Sequence, residues 1–336
     1  MSKFFIHPNT DKVIGSPNPY VENFADALSQ KHQVVNRHAK NRGVFNFYRY
    51  LSQTDIYVFN WIEDLPQKKY GRIQTVLFIV FTFIAKLLGK QLVWVLHNKY
   101  SHHKAKDQWT DFMYRFMMKH SDIIITHSNS GVEFAKENFP QYSSKIRMLF
   151  HPIQPLIPGV YPTKKKYDLL IWGSIFPYKG ILEFLKYASE RTTFSQLKIL
   201  VVGRCKDREY KRQLQEVLTE KMVFIEKMLE MDEIAGFSRQ SRFTLFTYKS
   251  PTVISSGSLM DSIRMGASII GPDHGAFKDL EGYGFMKIYR NYEDIASIVN
   301  DSSDRPIEGE QLDLFFRENS WDAFVPKFEH ALQLNT

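Results

Sequence analysis

The chain has 336 residues, 43% of them apolar and 24% charged, with one cysteine, Cys205, and a formal net charge of +8. That length exceeds a single core of ~150 residues, so two domains are expected, and the composition excludes a disordered chain. One cysteine excludes an intrachain disulfide and a cysteine-built structural metal site and suits a reducing compartment. The charge is uneven: residues 1–160 hold 20 Lys+Arg against 11 Asp+Glu, a net of +9, while residues 161–336 hold 24 against 25.

The first eight residues (MSKFFIHP) lack the apolar run and cleavage site of a signal peptide. Lys3–His7 reads as a strand. Asn18–Lys31 follows as an amphipathic helix, with Val21, Phe24, Ala25 and Leu28 at helical spacing. Asp55–Trp61 is a second strand. Arg72–Leu88 is a helix ending at Gly89. Its apolar part, Val76–Leu88, is interrupted by Thr82 and Lys86 and is shorter than the ~20 residues of a membrane span. Lys68, Lys69, Arg72, Lys86, Lys90, Lys99, Lys104 and Lys106 surround it. The helix reads either as core with solvated lysines at its ends or as an interfacial element. Gln91–Leu96 is a strand, Asp107–Lys119 a helix, Asp122–Thr126 a strand and Ser130–Asn138 a helix. Apolar strands alternating with helices predict a parallel sheet covered on both faces.

Residues 152–166 (PIQPLIPGVYPTKKK) have no periodicity and read as an interdomain linker. The alternation then restarts with the strand Tyr167–Trp172. It continues with the helix Gly180–Ser189, the strand Leu197–Gly203 and the helix Arg208–Thr219. Next come the strand Met222–Glu226, the helix Met231–Arg239, the strand Phe243–Tyr248 and the helix Gly257–Met265. Ala267–Gly271 and Met286–Tyr289 are strands, the latter followed by the helix Tyr292–Val299. Gln311–Gln333 reads as one helix carrying Trp321, Phe324 and Phe328.

Three strand ends in the second half meet turns suited to an anion, because ligands of open α/β sheets bind at strand carboxyl ends near helix N-termini. The first is Trp172–Gly180 (WGSIFPYKG), with Gly173, Ser174 and Lys179. The second is Gly203-Arg204. The third is Ser255, Ser256, Gly257 and Ser258, which open a helix with Asp261 one turn inside, suited to ribose hydroxyls. Singly, each is an ordinary turn, a solvated lysine or an N-cap.

Together, WGSIFPYKGILEFLKYA, LKILVVGR and SSGSLMDSIRMGASIIGP resemble the GT-B glycosyltransferases, and among them the family 4-like group. NPYVENFADAL, QLVWVLHNKYSHH and DIIITHSNSGVEFA agree more loosely. The resemblance implies two Rossmann-like α/β domains facing each other across a cleft. Residues 1–155 would form an acceptor-binding domain, 166–315 a nucleotide-sugar-binding domain, and 316–336 a helix packing back on the first. It implies that Gly173, Ser174, Lys179, Arg204, Ser255, Ser256, Gly257, Ser258 and Asp261 hold the donor.

The sequence departs from that pattern. Many retaining members carry two glutamates spaced eight apart, and here Asp261 matches the second while Val253 stands at the first. Ser174 replaces a frequent arginine, and Cys205 stands where a second glycine often follows. An inverting enzyme would need an acceptor-side base, for which His97 and Glu63, each after a strand, are the candidates. His97, His102 and His103 lack the carboxylates of a metal site, and no Asp-x-Asp follows a strand. Lys179, Arg204 and helix dipoles therefore replace a metal in opposing the diphosphate.

The expected function is transfer of a sugar from a nucleoside-diphosphate sugar to a glycan or lipid-linked acceptor, in bacterial surface polysaccharide synthesis, with no cofactor. The expected location is the cytoplasm, with a peripheral contact to the inner face of an anionic membrane. The alternatives are a basic nucleic-acid-binding protein, for which no motif is present, and a non-catalytic sugar-nucleotide-binding protein. A Rossmann oxidoreductase is excluded by the lack of G-x-G-x-x-G after a strand.

Overall fold

The computed structural model describes residues 1–9, 19–99, 108–159, 164–249, 254–301 and 309–334. Two compact units emerge: unit 1 is Met1–His151, Thr252–Ser255 and Trp321–Thr336, and unit 2 is Pro152–Pro251 and Ser256–Ser320.

Unit 1 runs β1 (Lys3–His7), α1 (Pro19–Ser29), β2 (Gln33–Val34), α2 (Phe45–Arg49), β3 (Ile56–Asn60), α3 (Gly71–Leu87), β4 (Gln91–Leu96), α4 (Gln108–His120), β5 (Ile123–Thr126), α5 (Asn129–Asn138) and β6 (Ile146–Met148). The strand order is β2-β1-β3-β4-β5-β6, with every pairing parallel. The strands are apolar at successive positions because both faces are covered. On β3, Tyr57 and Phe59 enter one core with Phe78 and Phe81 of α3, while Ile56 and Val58 enter the other with Phe24 of α1.

Unit 2 runs β7 (Tyr167–Trp172), α6 (Ile181–Ser189), β8 (Ile199–Val202), α7 (Arg208–Glu216), β9 (Met222–Ile225), α8 (Met231–Arg239), β10 (Ser241–Leu245), α9 (Gly257–Arg264), β11 (Ile269–Pro272), α10 (Gly275–Asp279), β12 (Met286–Tyr289), α11 (Tyr292–Asp301) and α12 (Gly309–Asn319). Its parallel sheet has the order β12-β11-β10-β7-β8-β9. This is the doubly wound Rossmann order, which reverses between β7 and β10. Leu169 and Ile171 face one core, and Leu170 and Trp172 the other.

The chain end differs from the single helix expected over Gln311–Gln333. Asn319 turns its side-chain amide back onto the Phe315 carbonyl at 3.0 Å, and Ser320 forms a parallel bridge with Ile153. Helix α12 therefore stops at Asn319, and a separate helix α13 (Trp321–Ala331) follows in unit 1. There Trp321, Phe324 and Phe328 lie 5.1–5.9 Å from the Phe24 ring, and Glu329 meets His32 at 2.7 Å.

The segment read as a linker is also more ordered than its prolines suggest. Ile153 is buried, the Ile157 amide donates to the Arg264 carbonyl at 2.7 Å, and Lys165 Nζ reaches the Arg239 carbonyl at 2.8 Å. The β2, α2, β6 and α10 elements were not expected. With two to five residues each, they are too short to carry a periodic signal.

Candidate donor site and the strand ends of unit 1

In unit 2 the candidate site lies at the carboxyl ends of β7 and β10, where the strand order reverses. This is the place at which open α/β sheets bind ligands. Gly173, directly after β7, has φ +102°, a backbone that side-chain-bearing residues rarely adopt. A Cβ on Gly173 would come within 3.3 Å of Lys179 Nζ and 3.6 Å of Ser258 Oγ, so these three residues converge. Gly203 closes the turn from behind: a Cβ there would meet the Gly173 carbonyl oxygen at 1.9 Å. Ile175 and Cys205 pair as a parallel bridge beside it.

Lys179 is 8% exposed, although a lysine head is normally solvated. Its carbonyl accepts a bond from Thr247 Oγ1 at 2.7 Å, and its Nζ stands 5.8 Å from the centre of the Tyr248 ring. Among the described residues no carboxylate pairs with it. Burial lowers its pKa, with the neighbouring Tyr178 opposing. A buried ammonium without a counter-charge is costly, and an anion at that point relieves the cost.

The Ser256 side chain caps α9, accepting from the Leu259 amide at 3.4 Å, and it also meets the Tyr248 hydroxyl at 3.3 Å. The amides of Gly257 and Ser258 open the helix and have no intrahelical acceptor. Trp172 Nε1 donates to Ser262 Oγ at 3.0 Å, and Ser262 donates to the Ser258 carbonyl at 2.8 Å, fixing this helix start to the end of β7. Asp261 is partly buried, and desolvation raises its pKa while Arg264, at 3.5 Å, opposes.

The other expected donor residues are less concentrated. Ser174 and Arg204 are exposed beside the two glycines. Ser255 falls with unit 1 and has no hydrogen bond among the described residues. Tyr248 and Thr247 were not expected from the sequence. Their signal was available, since both end the strand expected over Phe243–Tyr248, at its carboxyl end.

In unit 1 the strand order reverses between β1 and β3, and Asn60 Nδ2 donates across that point to the His7 carbonyl at 2.9 Å. This turns Asn60 Oδ1 toward His97 Nε2, at 2.9 Å. Nε2 therefore carries the proton and Nδ1 the lone pair. His97 stacks on Trp61 at 4.1 Å, and Trp61 holds a left-handed backbone with φ 50°. Burial holds the His97 pKa well below its usual value, with His127 and His151 adding to the effect. His127 takes a bond from Tyr20 on Nε2 at 2.8 Å and gives one from Nδ1 to the Leu149 carbonyl at 2.8 Å.

A histidine thus stands at or just past four strand ends: His7, His97, His127 and His151. Only His97 was singled out from the sequence. Inspecting the residue after each expected strand would have found His127, whereas His7 ends its strand and His151 follows β6, which was not expected.

Glu63 stands apart from this group. It is 1% exposed, lies in the short 3-10 segment Ile62–Gln67, and accepts from Trp94 Nε1 at 3.0 Å. Burial first, and Asp64 second, push its pKa up to about 8. That shift favours the protonated carboxyl, the form that does not accept a proton. His102 and His103 lie outside the described residues. Among the described residues no group of three His, Cys, Asp or Glu could hold a metal ion.

No family model and no curated protein matches this sequence. Solved structures do. Anabaena HepE in complex with UDP-glucose is similar at 13% identity and a TM-score of 0.68, covering 99% of this chain and 100% of that one. The lipopolysaccharide outer core galactosyltransferase WaaB is similar at 14% identity and a TM-score of 0.62, covering 99% of each chain. AviGT4, a glycosyltransferase involved in avilamycin A biosynthesis, is similar at 14% identity and a TM-score of 0.61, covering 99% and 98%. Two parallel six-stranded sheets, each wound with helices, and likeness to these proteins over nearly the whole chain give this protein the GT-B fold.

Proposed function

We propose that this protein is a glycosyltransferase that moves a sugar from a nucleoside-diphosphate sugar to a hydroxyl of a glycan or lipid-linked glycan in surface polysaccharide assembly. The observation that carries the reading is the buried ammonium of Lys179, which no carboxylate pairs among the described residues, converging with Gly173 and Ser258 where the Rossmann sheet reverses. That chemistry suits a diphosphate. HepE, a neighbour in fold, binds UDP-glucose.

In this reading the diphosphate lies against Lys179, the amides opening α9 and Arg204, and Asp261 accepts from ribose hydroxyls. The acceptor oxygen bonds to the anomeric carbon, and the bond from that carbon to the phosphate oxygen breaks. The diphosphate leaves with the electron pair, its charge opposed by these groups without a metal, and the acceptor's hydroxyl proton passes to the departing phosphate oxygen. His97 Nδ1 is the atom we assign to accept a hydrogen bond from the acceptor hydroxyl.

Isothermal titration with UDP, and with other nucleoside diphosphates, tests the reading. Saturable binding to the folded protein is expected, followed by release of that nucleotide from its sugar conjugate. Failure of every nucleoside diphosphate to bind would remove it.

A further inference from the structure

Helix α3 has two unlike faces. Thr75, Phe78, Phe81, Thr82 and Ala85 are buried on one. Ile73, Val76, Val80, Phe83, Leu87 and Leu88 are exposed on the other, Ile73 at 64% and Leu87 at 86%. At ~100° per residue the exposed set fills an arc of roughly 140°. The exposed stripe is therefore continuous along the helix, unlike the scattered single apolar residues normal on a protein surface. Helix α4 extends it. Phe116 lies 6.3 Å and His120 5.2 Å from the Phe83 ring, and Phe112, stacked on Phe116 at 5.9 Å, is 43% exposed.

The charges around the stripe decide what covers it. From Leu65 to Lys106 the chain has no Asp or Glu. Exposed Lys68, Lys69 and Arg72 stand at the N-terminal end of α3, and Arg115 and Lys119 are exposed on α4. Lys86 is already engaged, pairing with Asp122 at 2.7 Å. A second copy of this chain in a two-fold dimer would bring the same basic rim against itself. An anionic bilayer takes both parts: the apolar stripe enters the boundary between headgroups and acyl chains, and the flanking cations meet the headgroups. No helix among the described residues is long and apolar enough to cross a membrane, so α3 would lie in the plane of the surface.

We infer that the exposed face of α3, continued by Phe112 and flanked by Lys68, Lys69, Arg72, Arg115 and Lys119, is a docking surface for an anionic lipid bilayer. The inference rests on this face of unit 1 alone and stands apart from the sugar-transfer reading.

Co-sedimentation of the full chain with vesicles tests it. Phosphatidylcholine vesicles containing phosphatidylglycerol should bind the protein at low salt, and binding should fall steeply as salt rises. Pure phosphatidylcholine should bind at least about tenfold more weakly, because several cations each gain on an anionic surface. Ile73→Asp/Leu87→Asp changes two exposed side chains and should cut binding at least about tenfold. Lys68→Glu/Lys69→Glu/Arg72→Glu should do the same through charge. UDP titration of each variant, which reads unit 2, should be unchanged, and circular dichroism should show a folded chain. No binding to the anionic vesicles at low salt overturns the proposal. So does a wild-type dimer that Ile73→Asp/Leu87→Asp dissociates, since the face would then be a self-interface.

Discussion

Lys179→Met should weaken diphosphate binding and stabilise the empty protein, two effects of opposite sign with one cause. The side chain is 8% exposed and has no carboxylate partner among the described residues. A charge-assisted bond to phosphate contributes about 1.5–3 kcal/mol, so the affinity for UDP should fall about 10- to 100-fold. Methionine keeps most of the buried stem and removes the desolvated charge, which should raise Tm by about 2–4 °C for each kcal/mol recovered.

The pH dependence of this effect has a definite sign. The folded pKa lies below the ordinary 10.5. Between the two values the unfolded chain binds a proton that the folded chain does not, so wild-type stability rises with pH across that window. The methionine variant lacks this term, and its advantage should shrink as pH approaches 10.5. Within that window diphosphate binding should take up protons, seen as a buffer-dependent enthalpy in titration calorimetry. Wild-type affinity for UDP in folded Lys179→Met would refute the reasoning. So would a variant less stable than wild type, because it would show the ammonium to be compensated.

Other outcomes follow from the same two sheets. Asp261→Asn should weaken binding of the nucleoside alone by about 1 kcal/mol and leave inorganic pyrophosphate unaffected, as paired titrations would show. Turnover of a nucleoside-diphosphate sugar should survive EDTA, and complete loss restored by magnesium or manganese would contradict the metal-free reading. His7 and His127 are pushed down to about 3 by burial, and His97 is lowered in the same direction. Their stabilising effect is fully present above the unfolded value of ~6.5 and is lost as pH falls toward the folded values, by about 1.4 kcal/mol per pH unit for each histidine. Urea unfolding at pH ~7 and ~5 should show that loss, and equal stability at the two values would contradict it.

The fold was legible because its signal is repetitive. Runs such as DIYVFN, QLVWVL and LKILVV are apolar at every position, which only strands buried on both faces require. What escaped was set by tertiary contacts. Nothing in the periodicity of Gln311–Gln333 marks the break at Ser320, which depends on pairing with Ile153, more than 160 residues earlier. The prolines of residues 152–159 signalled a linker, while the buried Ile153 and the Ile157 amide tie that segment to unit 2. In the candidate site, the convergence of Gly173, Lys179 and Ser258 follows from turn chemistry that can be read locally. The burial of Lys179 and Glu63 cannot be so read, because it depends on which residues close over them.

The two sheets meet the charge problem differently at their carboxyl edges. Unit 2 buries an ammonium with no carboxylate partner among the described residues, an arrangement that is stable only because the rest of the unit supports it and that favours an anion over water. Unit 1 buries imidazoles, and burial keeps His7, His97 and His127 neutral. The +9 net charge of residues 1–160 is therefore not carried by this edge. A neutral row whose hydrogen bonds are fixed by Asn60, Tyr20 and Leu149 suits hydroxyl groups better than phosphate. The lone pair on His97 Nδ1 points the same way, since a weakly basic acceptor orients a hydroxyl without competing for the diphosphate. The positive charge of unit 1 must act elsewhere, and the acid-free stretch from Leu65 to Lys106 shows where much of it lies. An anion that bound the carboxyl edge of unit 1 as tightly as UDP is expected to bind unit 2 would contradict this division. Pyrophosphate titrated against Lys179→Met, with unit 1 unchanged, measures it directly.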